Sequence, residues 1–161
     1  MKICIVGYGS IGKRHHKILL DLFPNSIFDI VDIDTDLTIT ECQDRFYNIL
    51  VICTPSSHHL EVASKFSKIK DLIFIEKPLD VSTKKIEKYL SLIDNEKVHV
   101  GCNLRFTDAY SNLKEAANGA RVVNITSMSY LPNWRKGNHR GQYSSIASQG
   151  GGALLDFIHE P

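Results

Sequence analysis

The stretch that decides the fold is Lys2-Ile3-Cys4-Ile5-Val6-Gly7-Tyr8-Gly9-Ser10-Ile11-Gly12, at the start of a chain of 161 residues. A short apolar run, typical of a buried strand, leads into three glycines with the spacing G-x-G-x-x-G. An apolar pattern with helical spacing follows, until Pro24-Asn25-Ser26 interrupts it. A strand, a glycine turn and a helix in this order are typical of the first unit of a parallel α/β sheet.

Each glycine of the motif has its own physical task. Gly7 allows a tight turn, Gly9 lets the backbone approach a pyrophosphate, and Gly12 lets the helix pack close to the strand. The amides at the start of the helix, at Ser10 and Ile11, point at the phosphates together with the positive end of the helix dipole. A glycine turn that binds no ligand is the alternative for such a motif taken alone.

An acidic residue stands at the end of the second predicted strand, Ile27–Asp32. Asp32 follows Gly12 by 20 positions, where a dinucleotide-binding unit places its ribose-binding carboxylate. That carboxylate accepts hydrogen bonds from the ribose hydroxyls and repels a 2′-phosphate. The sequence therefore predicts a site for NAD rather than NADP, and a ribose diol suits it better than the nucleotide of CoA.

Strands and helices continue to alternate beyond this first unit. Continuous apolar runs predict buried strands at Asn48–Cys53, Leu72–Ile75 and Val98–Cys102. Helical spacing predicts helices over residues 58–67 and 83–93, and a vestigial strand fits at Leu37–Thr40. The fold is therefore predicted to be α/β, a Rossmann-type doubly wound parallel sheet of five or six strands.

The pattern changes near residue 120. Arg121–Leu131 alternates like a strand with one solvated face, and an irregular basic and aromatic stretch follows it. We expect a dinucleotide-binding domain over residues 1–120 and the beginning of a second α/β domain over residues 121–161. That second domain is expected to be incomplete, since a full one needs well over about 100 further residues.

The composition excludes several classes of function. Nineteen Lys and Arg against 18 Asp and Glu give a net charge of +1, which provides no attraction to nucleic acid or an anionic membrane. No apolar run approaches the roughly 20 residues needed to span a bilayer, and the N-terminus reads as a strand rather than a signal peptide. The four cysteines lack C-x-x-C spacing, so we interpret them as buried apolar residues and expect no metal site and a cytoplasmic location.

Polar residues follow two of the predicted strands at the end where ligands bind in such sheets. Thr54-Pro55 follows one strand, although a helix cap explains this pair equally well. His59 fits packing in the first helical turn better than ligand binding. Lys77, in Glu76-Lys77-Pro78, is held extended by the following proline and can point into the crevice, although a surface lysine is the simpler interpretation.

A last group of polar residues lies near the end of the sequence. Asp156 and His159 are three positions apart, so in a helix they share one face and can address one ligand. Histidine exchanges a proton near neutral pH. From spacing alone, an ordinary surface pair is the better explanation.

Taken together, these motifs resemble those of the Gfo/Idh/MocA family of nicotinamide-dependent sugar oxidoreductases. The matching positions are Gly7-Tyr8-Gly9-Ser10-Ile11-Gly12 with His15, Thr54-Pro55 with His59, Glu76-Lys77-Pro78, Gly101-Cys102-Asn103-Leu104-Arg105-Phe106, and Gly150-Gly151-Gly152 with Asp156 and His159.

The resemblance implies hydride transfer between a nicotinamide cofactor and a hydroxyl carbon of a sugar, sugar acid or nucleotide sugar, in a homo-oligomer. It implies that Lys77 and His159 are catalytic, His159 as the acid–base residue, and that Asp156 positions the substrate. The cofactor-binding residues expected from motif and resemblance are Gly7, Gly9, Ser10, Ile11, Gly12, Asp32, Thr54, Pro55, His59, Glu76 and Lys77.

The later part of the chain is similar to one subgroup of that family. The stretch from Tyr130 to Arg135, Tyr143-Ser144, and Asp156-Phe157-Ile158-His159-Glu160 resemble enzymes of bacterial surface-sugar or nonulosonate pathways. The resemblance implies that Trp134 and Arg135 line the sugar site. The alternative function is a catalytically inactive NAD-binding module that lacks the substrate domain.

Overall fold

The computed structural model describes residues 1–124, 126, 128, 130–133 and 138–152. The chain divides into two compact units, Met1–Gly101 and a second unit from Cys102 onward, and each is described by itself. Within the described residues, no helix is both long enough and apolar enough to cross a bilayer.

The first unit is built on a five-stranded sheet whose pairings are all parallel. The strands are β1 (Lys2–Val6), β2 (Ile27–Val31), β3 (Tyr47–Ile52), β4 (Ile69–Ile75) and β5 (Val98–Val100). Their order across the sheet is β2-β1-β3-β4-β5, so the chain reverses its direction of winding between β1 and β3. This arrangement confirms the predicted Rossmann-type α/β fold.

Helices connect the strands. They are α1 (Ser10–Leu22), α2 (Ile39–Cys42), α3 (His59–Ala63) and α4 (Thr83–Leu90), with α5 (Asp108–Ala116) in the second unit. The helix predicted over residues 58–67 is shorter than expected, because a 3₁₀ turn occupies Ser56–His58 and α3 ends at Ala63. The Ser64 hydroxyl there donates to the Glu61 carbonyl, a local bond that competes with helix continuation.

The vestigial strand predicted at Leu37–Thr40 is reduced to one bridge. Leu37 pairs in parallel with Val31, and α2 begins two residues later, at Ile39. Thr38 caps this helix, since its hydroxyl accepts from the Glu41 amide while the Glu41 carboxylate accepts from the Thr38 amide. The capping box therefore ends extended backbone in this connection after Leu37.

The core lies on both faces of the sheet. Alternate residues of β1 and β3 belong to two separate apolar clusters: Cys4, Val6, Leu50 and Ile52 to one, and Ile3, Ile5, Ile49 and Val51 to the other. Since successive side chains of a strand point to opposite faces, both faces are covered. This double burial explains why the strands read as continuous apolar runs in the sequence.

The second unit does not contain the strand predicted over Arg121–Leu131 in those of its residues that the structure describes. Val122 and Met128 are 85% and 89% exposed. A strand needs a neighbour to pair its backbone groups, and the alternation alone does not supply one. The division into domains at residue 120 stays a prediction, and the two compact units meet at residues 101 and 102.

Candidate active site

Four loops meet at the carboxyl edge of the sheet, where ligands bind in doubly wound folds. Each is joined to a neighbouring strand by a backbone hydrogen bond. The bonds are Gly7 N–H to Val31 O (2.8 Å), Cys53 N–H to Val6 O (2.7 Å), Glu76 N–H to Ile52 O (3.0 Å) and Gly101 N–H to Ile75 O (2.8 Å). The predicted glycine loop, the Thr54-Pro55 pair and Glu76-Lys77-Pro78 therefore lie along one edge.

Two of the three motif glycines are fixed by their surroundings. Gly7 has a φ of +91°, and a Cβ atom there would lie 2.5 Å from the carbonyl carbon and oxygen of Cys53. A Cβ on Gly12 would lie 2.0 Å from the carbonyl oxygen of Gly7. The tight turn and the close helix packing that the sequence predicts at these positions are both present.

Gly9 differs from the other two, because no described atom lies within 4 Å of the place where its Cβ would stand. It precedes α1 as the N-cap residue, forms no side-chain cap, and no acidic residue occupies the first turn. The first amides of the helix, from Ser10 and Ile11, therefore have no side-chain cap and no carboxylate in the first turn. A pyrophosphate fits this end of α1 on grounds of both space and charge.

Asp32 is linked to the glycine loop through its carboxylate. One oxygen accepts a hydrogen bond from the Tyr8 amide, and the other accepts from the Ile33 amide at 2.7 Å. The Thr35 hydroxyl accepts from the Asp32 amide at 2.8 Å and so fixes the backbone as well. Each carboxylate oxygen keeps acceptor capacity for a ribose hydroxyl. Sequence reasoning gave the position of Asp32 but not this link to Tyr8.

His59 is buried between two loops. His59 is 1% exposed. Its Nδ1 atom lies 2.8 Å from the Pro78 carbonyl oxygen, and its Nε2 atom lies 2.8 Å from the Thr54 carbonyl oxygen. Burial lowers the pKa of the His59 imidazole, and the two carbonyls oppose this effect. Since both nitrogens face backbone oxygens, the structure favours the packing interpretation over the predicted direct contact with a cofactor.

Thr54 and Pro55 lie at the end of β3 and lead into the 3₁₀ turn. The Thr54 hydroxyl is buried and has no hydrogen-bond partner among the described residues. An unsatisfied buried hydroxyl costs free energy, so a ligand atom that reached it would be bound favourably. Thr54 therefore suits its predicted place beside a cofactor.

Glu76 is paired with a histidine that the sequence motifs contained without a role. The His15 Nε2 atom lies 2.6 Å from the Glu76 Oε1 atom, and the Lys77 amide donates to the Glu76 Oε2 atom at 3.4 Å. Lys77 is half-buried beside this pair. The sequence offered one indication of a role for His15, because it is a polar residue in the apolar stripe of α1, between Ile11 and Ile18.

Four predicted site residues lie outside the described part of the chain: Trp134, Arg135, Asp156 and His159. Their predicted roles stay predictions. Among the residues that the structure does describe, no group of three or more His, Cys, Asp or Glu side chains is placed to hold a metal ion.

Two curated proteins show the similarity of the chain at the level of sequence. Inositol 2-dehydrogenase of Rhizobium meliloti is 27% identical over 146 residues, which cover 76% of the chain and 44% of that protein. Myo-inositol 2-dehydrogenase of Thermotoga maritima is 26% identical over 157 residues, covering 82% of the chain and 46% of the relative. The chain thus spans less than half the length of these relatives. No protein-family model matches the chain.

Solved structures share the fold. The WlbA dehydrogenase of Chromobacterium violaceum, determined with NADH and UDP-GlcNAcA, aligns with a TM-score of 0.60 at 19% identity, over 73% of the chain and 39% of that protein. Apo scyllo-inositol dehydrogenase of Lactobacillus casei aligns with a TM-score of 0.54 at 20% identity, over 73% of the chain and 41% of its own. The chain is therefore similar in sequence to two inositol dehydrogenases and shares its fold with solved dehydrogenases, which agrees with the resemblance of its motifs to the Gfo/Idh/MocA family.

Proposed function

We propose that the protein containing this chain transfers a hydride between NAD and a hydroxyl-bearing carbon of a sugar, sugar acid or nucleotide sugar. The observation that carries the proposal is the start of α1. Gly9 is open on its Cβ side, the helix is uncapped by side chains, and the Asp32 carboxylate stands at the end of the neighbouring strand. These features match the needs of a pyrophosphate and a ribose diol.

The residues of the chain divide the work of binding and chemistry. The amides of Ser10 and Ile11 hold the phosphates, Asp32 holds the adenine-side ribose, and Thr54 with Pro55 borders the nicotinamide side. The bound nicotinamide supplies the hydride acceptor or donor. The Lys77 ammonium stabilises negative charge on the reacting oxygen, an electrostatic role.

Proton transfer and substrate placement are proposed for residues near the end of the sequence. His159 accepts the hydroxyl proton during oxidation, Asp156 positions the substrate, and Trp134 with Arg135 lines the sugar site. The substrate class follows the names of the relatives, which act on inositol or were solved with a nucleotide sugar. Inositol and the sugar of a nucleotide sugar share a ring that carries several hydroxyl groups. We also propose that the enzyme is a homo-oligomer.

The preference for NAD over NADP rests on Asp32. A 2′-phosphate would approach a carboxylate that two amides already hold in place, and no basic side chain among the described residues donates to it. Because like charges repel and the carboxylate cannot turn away without losing both amide bonds, NADPH is expected to bind at least about tenfold more weakly than NADH.

The test is a fluorescence titration of the 161-residue chain with NADH and then with NADPH. Gly9→Ala adds a methyl group on the open side of the loop without a clash in the protein, so we expect it to weaken NADH binding by about tenfold or more. Gly141→Ala is the matched control, because its Cβ would also meet no described atom within 4 Å and Gly141 is not part of the glycine motif.

The outcomes separate the proposal from its alternatives. NADH binding that Gly9→Ala weakens and Gly141→Ala does not would support the dinucleotide site. A folded chain that binds no NADH, or one whose affinity is the same in both variants, would overturn it. Turnover with a panel of sugars, measured on the protein that contains this chain, then distinguishes a dehydrogenase from a binding module without catalysis.

A further inference from the structure

Two pairs of adjacent histidines lie near the edge of the sheet that carries Lys77. His15 and His16 belong to α1, and His58 and His59 stand where the 3₁₀ turn meets α3. In each pair one ring contacts the segment Glu76-Lys77-Pro78 and the other does not. His16 contacts the Tyr8 hydroxyl at 2.6 Å and packs on the Phe28 ring, whereas His58 is exposed.

His15 holds the residue that precedes Lys77. Its Nε2 atom is 2.6 Å from Glu76 Oε1, with the two side chains 22% and 19% exposed. The edge of the same ring packs on Phe74 at a centroid distance of 5.0 Å. A carboxylate that is mostly shielded from solvent and bonded at this distance is strongly oriented.

Gly101 leaves the space that this pair occupies. A Cβ at that position would lie 2.8 Å from the Phe74 ring and 3.3 Å from Glu76 Oε1. Any larger residue would press on both groups that contact His15. The chain therefore places a glycine where the end of β5 passes the His15–Glu76 pair.

His59 holds the residue that follows Lys77. One ring nitrogen lies 2.8 Å from the Pro78 carbonyl oxygen and the other 2.8 Å from the Thr54 carbonyl oxygen. The ring thus joins the segment to the end of β3. The charged groups that act on the ring are the carboxylates of Glu76 and Asp80.

We propose that His15 and His59 are positioning residues for Lys77, which fix the two residues on either side of it. The inference rests on the proposed function for the role of Lys77 itself. A lysine side chain is long and flexible, so the place of its amine depends on where its backbone is held. The Lys77 amide donates to the Glu76 carboxylate, which His15 orients. The carbonyl group of the following residue, Pro78, is held by His59. Displacements of about 1 Å at such a residue reduce turnover by roughly 100-fold.

The test measures the chemical reactivity of the Lys77 amine across pH in the absence of cofactor. Acetylation of the 161-residue chain is followed by mass spectrometry and normalised to Lys84, an exposed lysine of α4. In His15→Ala the Glu76 carboxylate loses the histidine that shares its charge, so its negative charge acts more strongly on the Lys77 amine. We expect the Lys77 amine then to react about threefold more slowly at a given pH, since a nearby carboxylate favours the protonated form.

Matched variants separate positioning from a general loss of structure. His16→Ala removes the adjacent ring on the same helix and is expected to leave the reactivity of Lys77 at the value of the unmodified chain. His15→Gln is expected to restore it in part, because the amide N–H can donate to Glu76. His59→Gln with His58→Gln repeats the comparison on the other side of Lys77. If His59→Gln does not fold, the His15 comparison decides by itself.

The result that overturns the proposal is a folded His15→Ala chain in which Lys77 reacts at the original rate, or one in which His16→Ala changes that rate equally. Because the labelling needs no cofactor, its result is independent of NADH binding. A chain that fails to bind NADH but shows the His15 effect would support the positioning role of His15 and contradict the proposed dehydrogenase function. On the protein that contains this chain, His15→Ala is expected to lower kcat while the affinity for NADH is retained.

Discussion

The glycine loop and the Glu76-Lys77-Pro78 segment lie on the same edge of the sheet but are held in different ways. The glycine loop is shaped mainly by backbone, through the positive φ of Gly7 and the contact of Gly12 with the Gly7 carbonyl, and one side chain, Asp32, bonds to its Tyr8 amide. The segment around Lys77 is held by side chains that come from other elements, His15 from α1 and His59 from α3.

This difference predicts how the two segments respond to substitution and to pH. A loop made from backbone contacts tolerates few substitutions but needs none of its neighbours to be of a particular type. A segment held by two histidines depends on the charge and protonation of those side chains. We therefore expect substitutions at the packed glycines, Gly7 and Gly12, to act on folding, and substitutions around Lys77 to act on chemistry and pH dependence.

The largest effect is expected for Gly12→Ala. Its new methyl group would stand 2.0 Å from the Gly7 carbonyl oxygen, so α1 or the loop must move. Overpacking of this kind is expected to lower the free energy of unfolding by about 3 kcal/mol and to abolish NADH binding. Urea denaturation followed by circular dichroism measures the first effect, and the NADH titration measures the second.

Gly9→Ala is the control for that variant, because its Cβ meets no described atom within 4 Å and its φ is −68°. Its free energy of unfolding is expected to remain within about 0.5 kcal/mol of the original value. If both variants were equally stable, the contrast between packing glycines and a ligand-facing glycine would be wrong.

A smaller effect is expected for Asp32→Asn, which tests a side chain that bonds to the glycine loop from the end of the neighbouring strand, through the Tyr8 amide. Asparagine keeps the shape but loses the charge, and its NH₂ group would face the amide of Tyr8 or Ile33. NADH binding is expected to weaken by about tenfold, and the discrimination against NADPH to decrease. The same titration measures both quantities.

Asp34→Asn serves as the comparison, since Asp34 is an exposed carboxylate two positions further on. It removes the same net charge without touching the glycine loop. Equal losses of affinity in the two variants would mean that overall charge, rather than the bonded Asp32 carboxylate, controls the binding of the nucleotide.

Sequence reasoning succeeded where the determining contacts are local. The strand, the glycine turn and α1 were predicted with little error because their residues follow one another along the chain. Asp32 was predicted to stand at a fixed distance after Gly12, which the winding of one β-α-β unit determines. The vestigial strand predicted at Leu37–Thr40 was confirmed only at Leu37, because α2 begins at Ile39.

Prediction failed where contacts join distant parts of the chain. His15 and Glu76 are 61 positions apart, and no periodicity indicates that they meet. The interpretation of His59 remained open because spacing does not show that two carbonyl groups from different loops enclose the ring. For Arg121–Leu131, alternation suggested a strand, but pairing depends on a neighbour that the pattern does not identify.

The smallest effect is expected from the protonation of His59. Burial lowers the pKa of the folded imidazole below its ordinary value, opposed by the carbonyls of Pro78 and Thr54 and by the carboxylates of Glu76 and Asp80. The unfolded chain therefore binds a proton near pH 6.5 that the folded chain does not yet bind. The contribution of His59 to stability is present above about pH 6.5 and is lost as the pH falls towards the folded pKa.

The measurement is the free energy of unfolding at pH 7.5 and at pH 5.5, in His59→Gln and in His58→Gln. The unmodified chain and His58→Gln are expected to lose about 1 kcal/mol more on acidification than His59→Gln, because glutamine does not titrate. An equal pH dependence in all three would mean that the pKa of His59 is the same in the folded and the unfolded chain. Burial would then have no net effect on the protonation of His59, and the segment around Lys77 would be held as independently of pH as the glycine loop.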